Sequence, residues 1–319
     1  MTIAVGPLPR STSIFVAGHR GLVGSAVTRC LAGEGFTDVR GVPSSDLDLR
    51  DRDATRRYLT GTRPQVVVLA AARVGGILAN ATYPADFLSD NLRIQVNVLD
   101  AALEAGVERL LFLGSSCIYP KHAPQPIRED ALLTGPLELT NDAYAIAKIA
   151  GLLQVQAMRR QHGVSWISAM PTNLYGPGDN FDPTSSHVLP AMIRKFHDAK
   201  VAADAVTLWG TGTPQREFLH VDDLARACLF LLERYDGDEH VNVGTGEDVT
   251  IRELAELVAG VVGYHGPVLW DSGKPDGTPR KLLDVRRIQA LGWKPEIPLA
   301  DGIRSTYDWY LAHEGARLG

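Results

Sequence analysis

Short runs of β-branched and apolar residues alternate along the first half of the chain with longer stretches whose apolar positions recur every three to four residues. "SIFVAG" (13–18) is one such run ended by glycine, and "SAVTRCLAGEG" (25–35) follows it with helical spacing and a glycine stop. The pattern recurs as "DVRGV" then "DRDATRRYLTGT", as "QVVVLAA" then "NLRIQVNVLDAALEAG", and as "RLLFLGS" then a helix carrying Tyr144, with "SWISAM" beyond it. Strands alternating with helices predict a parallel sheet covered on both faces and joined by right-handed crossovers. "VVVLAA" and "LLFLG" are almost continuously apolar, as strands buried on both sides are.

After "PTNLYGPGDNF" (171–181) the rhythm changes to loops, a short helix at 188–199, and Gly- and Pro-rich stretches such as "WGTGTPQREF" and "DSGKPDGTPR". "HVDDLARACLFLLERY" and "HVNVG" then read as a helix and a strand that return to the first half. The fold class expected is α/β: a doubly wound, Rossmann-like parallel sheet with a second, smaller C-terminal substrate domain. The dinucleotide-binding domain is expected at 12–172 plus about 218–244, and the substrate-binding domain at 173–217 plus about 245–319. The residues before the first strand are expected to form a loose tail, with neither the basic start nor the long apolar run of a signal peptide.

Chemistry enters where the first strand meets the first helix. "AGHRGLVG" places Gly18, Gly21 and Gly24 there as GxxGxxG. Glycines permit the tight turn and let backbone N–H groups approach a pyrophosphate, whose charge is favoured at a helix N-terminus. A site that prefers NAD commonly carries Asp or Glu after the second strand to hold the ribose 2′-OH. "RGVPSS" (40–45) offers neither, while Arg20 in the glycine loop, and Arg40 as a second candidate, would attract a 2′-phosphate, so the expected cofactor is NADP. Asp48 is a candidate for the adenine edge or for capping its own loop.

Tyr144 and Lys148 are one helical turn apart and share a face. A lysine there can lower the pKa of the phenol and hold a ribose, making the tyrosine a proton donor or acceptor. They follow "GSSCIY" (114–119), at the C-terminal end of a predicted parallel strand, where ligands of α/β sheets bind.

With these features in this order the chain resembles the extended short-chain dehydrogenase/reductase family over nearly its whole length. Within that family "GHRGLVGSA", "AARVGGI", "GSSCIYPK", "NLYGPGDNF", "SHVLPAMIRKF", "WGTGTPQREFLHVDDLA" and "KPDGTPRKLLD" resemble the branch that acts on GDP-4-keto-6-deoxy-D-mannose. The resemblance implies C3/C5 epimerisation followed by NADPH-dependent reduction at C4. It makes Tyr144 the acid, Lys148 its electrostatic support, and Ser115, with Ser116 as the alternative, the hydroxyl that polarises the C4 carbonyl. Cys117 is the implied base at C3 and C5, and His187 the implied acid on the opposite face of the ring. The implied cofactor contacts are Gly18, Arg20, Gly21, Leu22, Val23, Gly24, Tyr144, Lys148, Pro171, Asn173, Leu174 and His187. A sugar nucleotide brings two phosphates, which suit a bidentate guanidinium, and Arg216 is the candidate. Lys195 and Lys281 lie in implied substrate-facing segments, and Trp209 is a candidate to pack on the base or sugar, with a core position as the alternative. Cys30 and Cys228 are read as small buried hydrophobes, and His19 and His220 as structural.

The helices "NLRIQVNVLDAALEAG" and "AYAIAKIAGLLQVQAMRRQ" are apolar around more of their circumference than one core-facing stripe needs. The resemblance implies a homodimer that pairs them; packing under neighbouring helices is the alternative. Composition adds mainly exclusions. The 319 residues are 45% hydrophobic and 22% charged, with a formal charge of -5, an ordinary globular balance without the basic field that nucleic acid requires. No apolar run reaches the roughly 20 residues of a membrane span. Cys30, Cys117 and Cys228 lie too far apart to form a metal cluster in the sequence, so no metal is expected, and free thiols suit a cytoplasmic protein. Two rival readings remain: another sugar-nucleotide epimerase, reductase or dehydratase of the same fold, and a non-catalytic dinucleotide sensor. A dehydratase needs an Asp-Glu pair where Ser116 and Cys117 stand.

Overall fold

The computed structural model describes residues 5–182, 185–274 and 276–313. The first half runs β1 (Ser13–Ala17), α1 (Leu22–Gly33), β2 (Asp38–Arg40), α2 (Arg52–Thr62), β3 (Val66–Leu69), α3 (Ile77–Thr82), α4 (Pro84–Ala105), β4 (Arg109–Leu113), α5 (Asp142–His162) and β5 (Ser165–Pro171). The rest follows as β6 (Asn173–Tyr175), α6 (Val188–Ala202), β7 (Val206–Trp209), β8 (Gln215–Arg216), β9 (Phe218–His220), α7 (Val221–Arg234), β10 (Val241–Val243), β11 (Val249–Thr250), α8 (Ile251–Val262), β12 (Val268–Asp271), β13 (Arg280–Lys281), α9 (Arg286–Ala290) and α10 (Leu299–Ala312).

Six strands form one sheet in the order β10-β5-β4-β3-β1-β2, and every neighbouring pair is parallel. The strand order reverses between β1 and β3, so the turn after β1 opens at the switch point of the sheet, where ligands of such folds sit. β3, β4 and β5 are buried residue by residue, which is why their sequences lack polar alternation. As the sequence predicts, α7 and β10 return to this sheet: β10 pairs with β5 and α7 packs against α1. A second apolar cluster gathers Phe181, Ile193, Phe196, Leu254, Val258 and Ile303 from α6, α8, α10 and their connections, apart from the cluster around the large sheet. Small sheets of β11-β8-β13 and β12-β7 accompany it.

Two expectations change. The described part of the leading segment is not a loose tail. Leu8 is buried, its N–H donates to Glu233 Oε1 at 3.1 Å, and Arg10 pairs with Glu34 and Glu233 while lying over the Phe36 ring. One apolar anchor and one arginine hold it, too little for a periodic signal; residues 1–4 lie outside the described residues. The C-terminal part is also more helical than its Gly and Pro content suggests. α8 opens on a capping box in which Thr250 and Glu253 satisfy each other's backbone N–H groups, and α10 supplies Ile303, Tyr307 and Tyr310 to the second cluster. Among the described residues no helix is long and apolar enough to cross a membrane.

Candidate active site

The turn between β1 and α1 is built for close approach. Gly18 has φ +83°, and a Cβ there would stand 2.8 Å from Ala71 Cα; a Cβ on Gly24 would run into the Gly18 carbonyl oxygen. The backbone therefore lies flush against the end of β3. α1 starts at Gly21 without a side-chain cap and without an acid in its first turn. The first-turn amides, those of Leu22, Val23 and Gly24 included, have no partner within the helix and carry its positive pole. Such a cradle fits a dinucleotide pyrophosphate. Beyond β2, Arg40 is bound to Asp38 through two nitrogens at 2.6 and 2.9 Å, and Asp48 is bound to Arg50, so neither is a simple free charge there. Arg20 stands exposed in the loop itself, beside His19, whose imidazole is held below the ordinary range by burial and by that guanidinium.

At the end of β4 the chain turns into a short 3-10 segment, Ser116–Ile118. The Ser115 hydroxyl accepts the Cys117 N–H at 3.2 Å and starts that turn. Ser116, the alternative hydroxyl, is only 3% exposed, whereas Ser115 is half-buried. Cys117 is half-buried; its sulfur accepts from Asn141 Nδ2 at 3.3 Å and from Lys281 Nζ at 3.6 Å.

α5 brings Tyr144 and Lys148 to the same place. Lys148 is buried and donates to the Leu113 carbonyl at 2.8 Å, with its ammonium over the Phe112 and Tyr144 rings. Burial lowers its pKa to about 8. The expectation that Lys148 draws the phenol down towards neutrality does not hold in the protein alone. Burial raises Tyr144 instead, the adjacent Cys117 adds to the rise, and its bond to Ser115 opposes it. A phenol that keeps its proton is an acid, and one in contact with Ser115 is an acid aimed where that hydroxyl points.

His187 is the N-cap residue of α6, in a loop whose Ser185 carbonyl accepts the Gly76 N–H at 3.0 Å. His187 is exposed to solvent, yet enough protein surrounds its imidazole to lower its pKa by desolvation. Among the described residues no hydrogen bond joins it to Cys117 or Tyr144. Pro171 ends β5, Leu174 lies in β6 opposite Leu219, and Asn173 donates to the Glu217 carbonyl at 2.8 Å.

The proposed substrate side chains fall into two neighbouring groups. Arg216 and Lys281 are register partners on the parallel strands β8 and β13, which sets two cations side by side. Burial lowers Arg216 from its ordinary range, with Asp276 opposing. Trp209 is 61% exposed, which excludes the core position; Lys195 and Lys274 approach its ring at 5.7 and 5.5 Å. Lys195 also donates to the Thr207 carbonyl and is lowered by burial.

Two residues at this site went unnoticed in the sequence. Asn141 binds the thiol, and its place at the start of the YxxxK helix was the available signal. Glu217 is fully buried between Arg216 and Phe218, raised by desolvation, and accepts the N–H groups of Gly246 and Leu283 at 2.8 and 3.0 Å. A cavity of about 260 Å³ lined by Arg128, Glu129, Asp130, Glu239, His240 and Arg287 lies elsewhere, and its arginines are paired with its acids.

A glycine cradle at the switch point, with Ser115, Tyr144 and Lys148 at the next strand end, defines a nicotinamide-dependent enzyme of the short-chain type. The pattern of the NAD dependent epimerase/dehydratase family matches residues 14–244. The chain is 61% identical to GDP-L-fucose synthase 1 of Arabidopsis thaliana, over 95% of this chain and 94% of that protein. It is 52% identical to GDP-L-fucose synthase of Escherichia coli K12, over 94% of this chain and 97% of that protein. The structure of a GDP-L-fucose synthetase from Naegleria fowleri bound to NADP superposes with a TM-score of 0.91 at 29% identity, covering 98% of this chain and 96% of that one. The chain belongs to the NAD dependent epimerase/dehydratase family, in its GDP-L-fucose synthase group.

Charged Lys148 is held in the folded state against a shift from 10.5 to about 8, a cost of about 3 kcal/mol. Between those values the unfolded chain keeps a proton that the folded chain has released, so stability rises with pH across that window. Lys148→Met is expected to abolish NADPH binding and, in the cofactor-free protein, to remove the rise of stability with pH across that window. In the unsubstituted protein, NADPH affinity measured by fluorescence titration should fall as pH rises through about 8. A variant whose melting temperature still rises with pH across that window as the parent's does would contradict this account.

Proposed function

We propose that the chain converts GDP-4-keto-6-deoxy-D-mannose to GDP-L-fucose by epimerisation at C3 and C5 and reduction at C4, with NADP as the cofactor couple. The observation that carries the reading is the Cys117 sulfur beside the Ser115 and Tyr144 hydroxyls, within reach of two hydrogen-bond donors. A plain reductase or C4 epimerase has no use for a thiol there. A sensor has no need for the whole set.

The C4 ketone acidifies the hydrogens on both neighbouring carbons. Cys117 removes them in turn, and His187 returns a proton from the opposite face. Ser115 and Tyr144 donate to the C4 oxygen, stabilising the enolate of each epimerisation and then the alkoxide of the reduction. NADPH held on the glycine cradle supplies the hydride. Tyr144, kept protonated by burial, gives its proton to the C4 oxygen, and Lys148 holds the ribose and supports the phenol. Epimerisation precedes reduction because a C4 alcohol no longer acidifies its neighbours.

Gly18, Arg20, Gly21, Leu22, Val23 and Gly24 hold the dinucleotide phosphates, while Pro171, Asn173, Leu174 and His187 border the nicotinamide. Arg216 and Lys281 face the diphosphate of the sugar nucleotide, and the exposed ring of Trp209 with Lys195 packs on the base or sugar. The division is 12–172 plus about 218–244 for the cofactor and 173–217 plus about 245–319 for the substrate. Val96 on α4, with Ile146 and Leu153 on α5, leaves apolar side chains exposed on adjacent helices. These faces support a homodimer, in a cytoplasmic setting.

Purified protein given the 4-keto sugar nucleotide should consume the near-ultraviolet absorbance of NADPH; no consumption would end the reductase reading. Cys117→Ser is expected to lose solvent deuterium incorporation at C3 and C5 while still binding NADPH, whereas Tyr144→Phe should lose hydride transfer and retain some exchange. Ile146→Glu with Leu153→Glu should shift the mass measured by light scattering from dimer to monomer, and a monomeric parent protein would refute the pairing.

A further inference from the structure

The sulfur of Cys117 is bracketed by donors that the sequence places far away. Lys281, 164 residues along the chain, aims Nζ at Sγ from 3.6 Å, and Asn141 aims Nδ2 from 3.3 Å. Neither approach is a loose surface encounter. β13 is fixed on one side by pairing with β8 and on the other by Gln125, which accepts the Leu282 N–H at 2.9 Å. The buried Glu217 carboxylate then accepts the Leu283 N–H at 3.0 Å. The Lys281 stem therefore starts from a backbone that cannot drift.

Asn141 is the second, independent sign. It occupies the N-cap of α5, where an asparagine side chain ordinarily accepts a bond from the first-turn amides of its own helix. Here it makes no such bond and gives its amide to the sulfur. The local capping contact is given up for one to the sulfur, which accepts such a bond more strongly as a thiolate than as a thiol. The other groups facing the thiol do not supply a cation at the same distance. Tyr144 and Ser115 are hydroxyls, and Lys148 is bound to the Leu113 carbonyl.

We propose that Lys281 and Asn141 belong to the proton-transfer machinery, the ammonium and the amide together holding Cys117 as the thiolate that removes the substrate protons. This rests on the reading of Cys117 as the base. In the step the thiolate takes a proton from carbon and becomes a thiol, and the bonding pair moves to the C4 oxygen. As the sulfur loses its charge the Lys281 ammonium is freed towards the anionic end of the substrate. One lysine thus serves both activation of the base and substrate binding.

The test reads the thiol without turnover. Iodoacetamide is applied across a pH series to the intact protein, and alkylation of the Cys117 peptide is followed by mass spectrometry, so that Cys30 and Cys228 do not contribute. The high-pH plateau reports access and the midpoint reports charge. Lys281→Met is expected to slow alkylation near neutral pH by about tenfold or more, equal to a midpoint displaced upward by about one pH unit. Asn141→Ala should slow it by a smaller factor, and Lys281→Arg should retain most of the parent rate. NADPH titration of each variant checks that it is folded. Superimposable profiles for parent and Lys281→Met overturn the proposal, and superimposable profiles with lost turnover assign Lys281 to substrate binding alone. Undiminished deuterium exchange in Cys117→Ser refutes the base reading itself, whatever the alkylation profiles show.

Discussion

The site depends on one buried bond, from the Lys148 ammonium to the Leu113 carbonyl at the point where β4 runs out. A buried charge must be paired or hydrogen-bonded, and this one finds its partner at the C-terminal edge of the sheet. The bond ties the second turn of α5 to the strand end, and Gln95 of α4 ties the same turn from the other side by donating to the Ala147 carbonyl at 2.6 Å. With α5 held at this depth, Tyr144 meets Ser115 and Asn141 meets Cys117. The functional groups are consequences of the pose of one helix against one strand.

That pose sets the protonation of the two groups it buries most deeply. Tyr144 is desolvated and stays neutral, which suits an acid. Cys117 sits a short distance away with two donors on its sulfur. Lys148 is burdened by burial yet pinned where a ribose hydroxyl and a phenol need it. Tyr144 and Lys148, of similar intrinsic acidity, are driven in opposite directions by the same loss of water, because burial favours the neutral form of each.

The large sheet was legible because its strands are buried on both faces and leave uninterrupted apolar runs between helices of ordinary period. The return of α7 and β10 was legible for the same reason. α8 and α10 were overshadowed by glycines and prolines on either side, although the Thr250 and Glu253 capping box stands in plain sequence. The glycine loop, Ser115, Tyr144 and Lys148 are short-range patterns and could be read directly. The partners of Cys117 could not, because one lies 164 residues away on a two-residue strand. Nor could the direction of the Tyr144 shift, since spacing to a lysine says nothing of how much water is lost. Trp209 shows the same limit: an aromatic side chain reads as core until its neighbours prove to be two ammonium groups and solvent.

Ser115 spends one lone pair on the Cys117 amide that starts the 3-10 turn. The amide takes one of the two acceptor positions of the hydroxyl and leaves its proton and one lone pair for other partners. The strand end therefore presents a hydroxyl of reduced accepting capacity whose proton can serve an electron-rich oxygen.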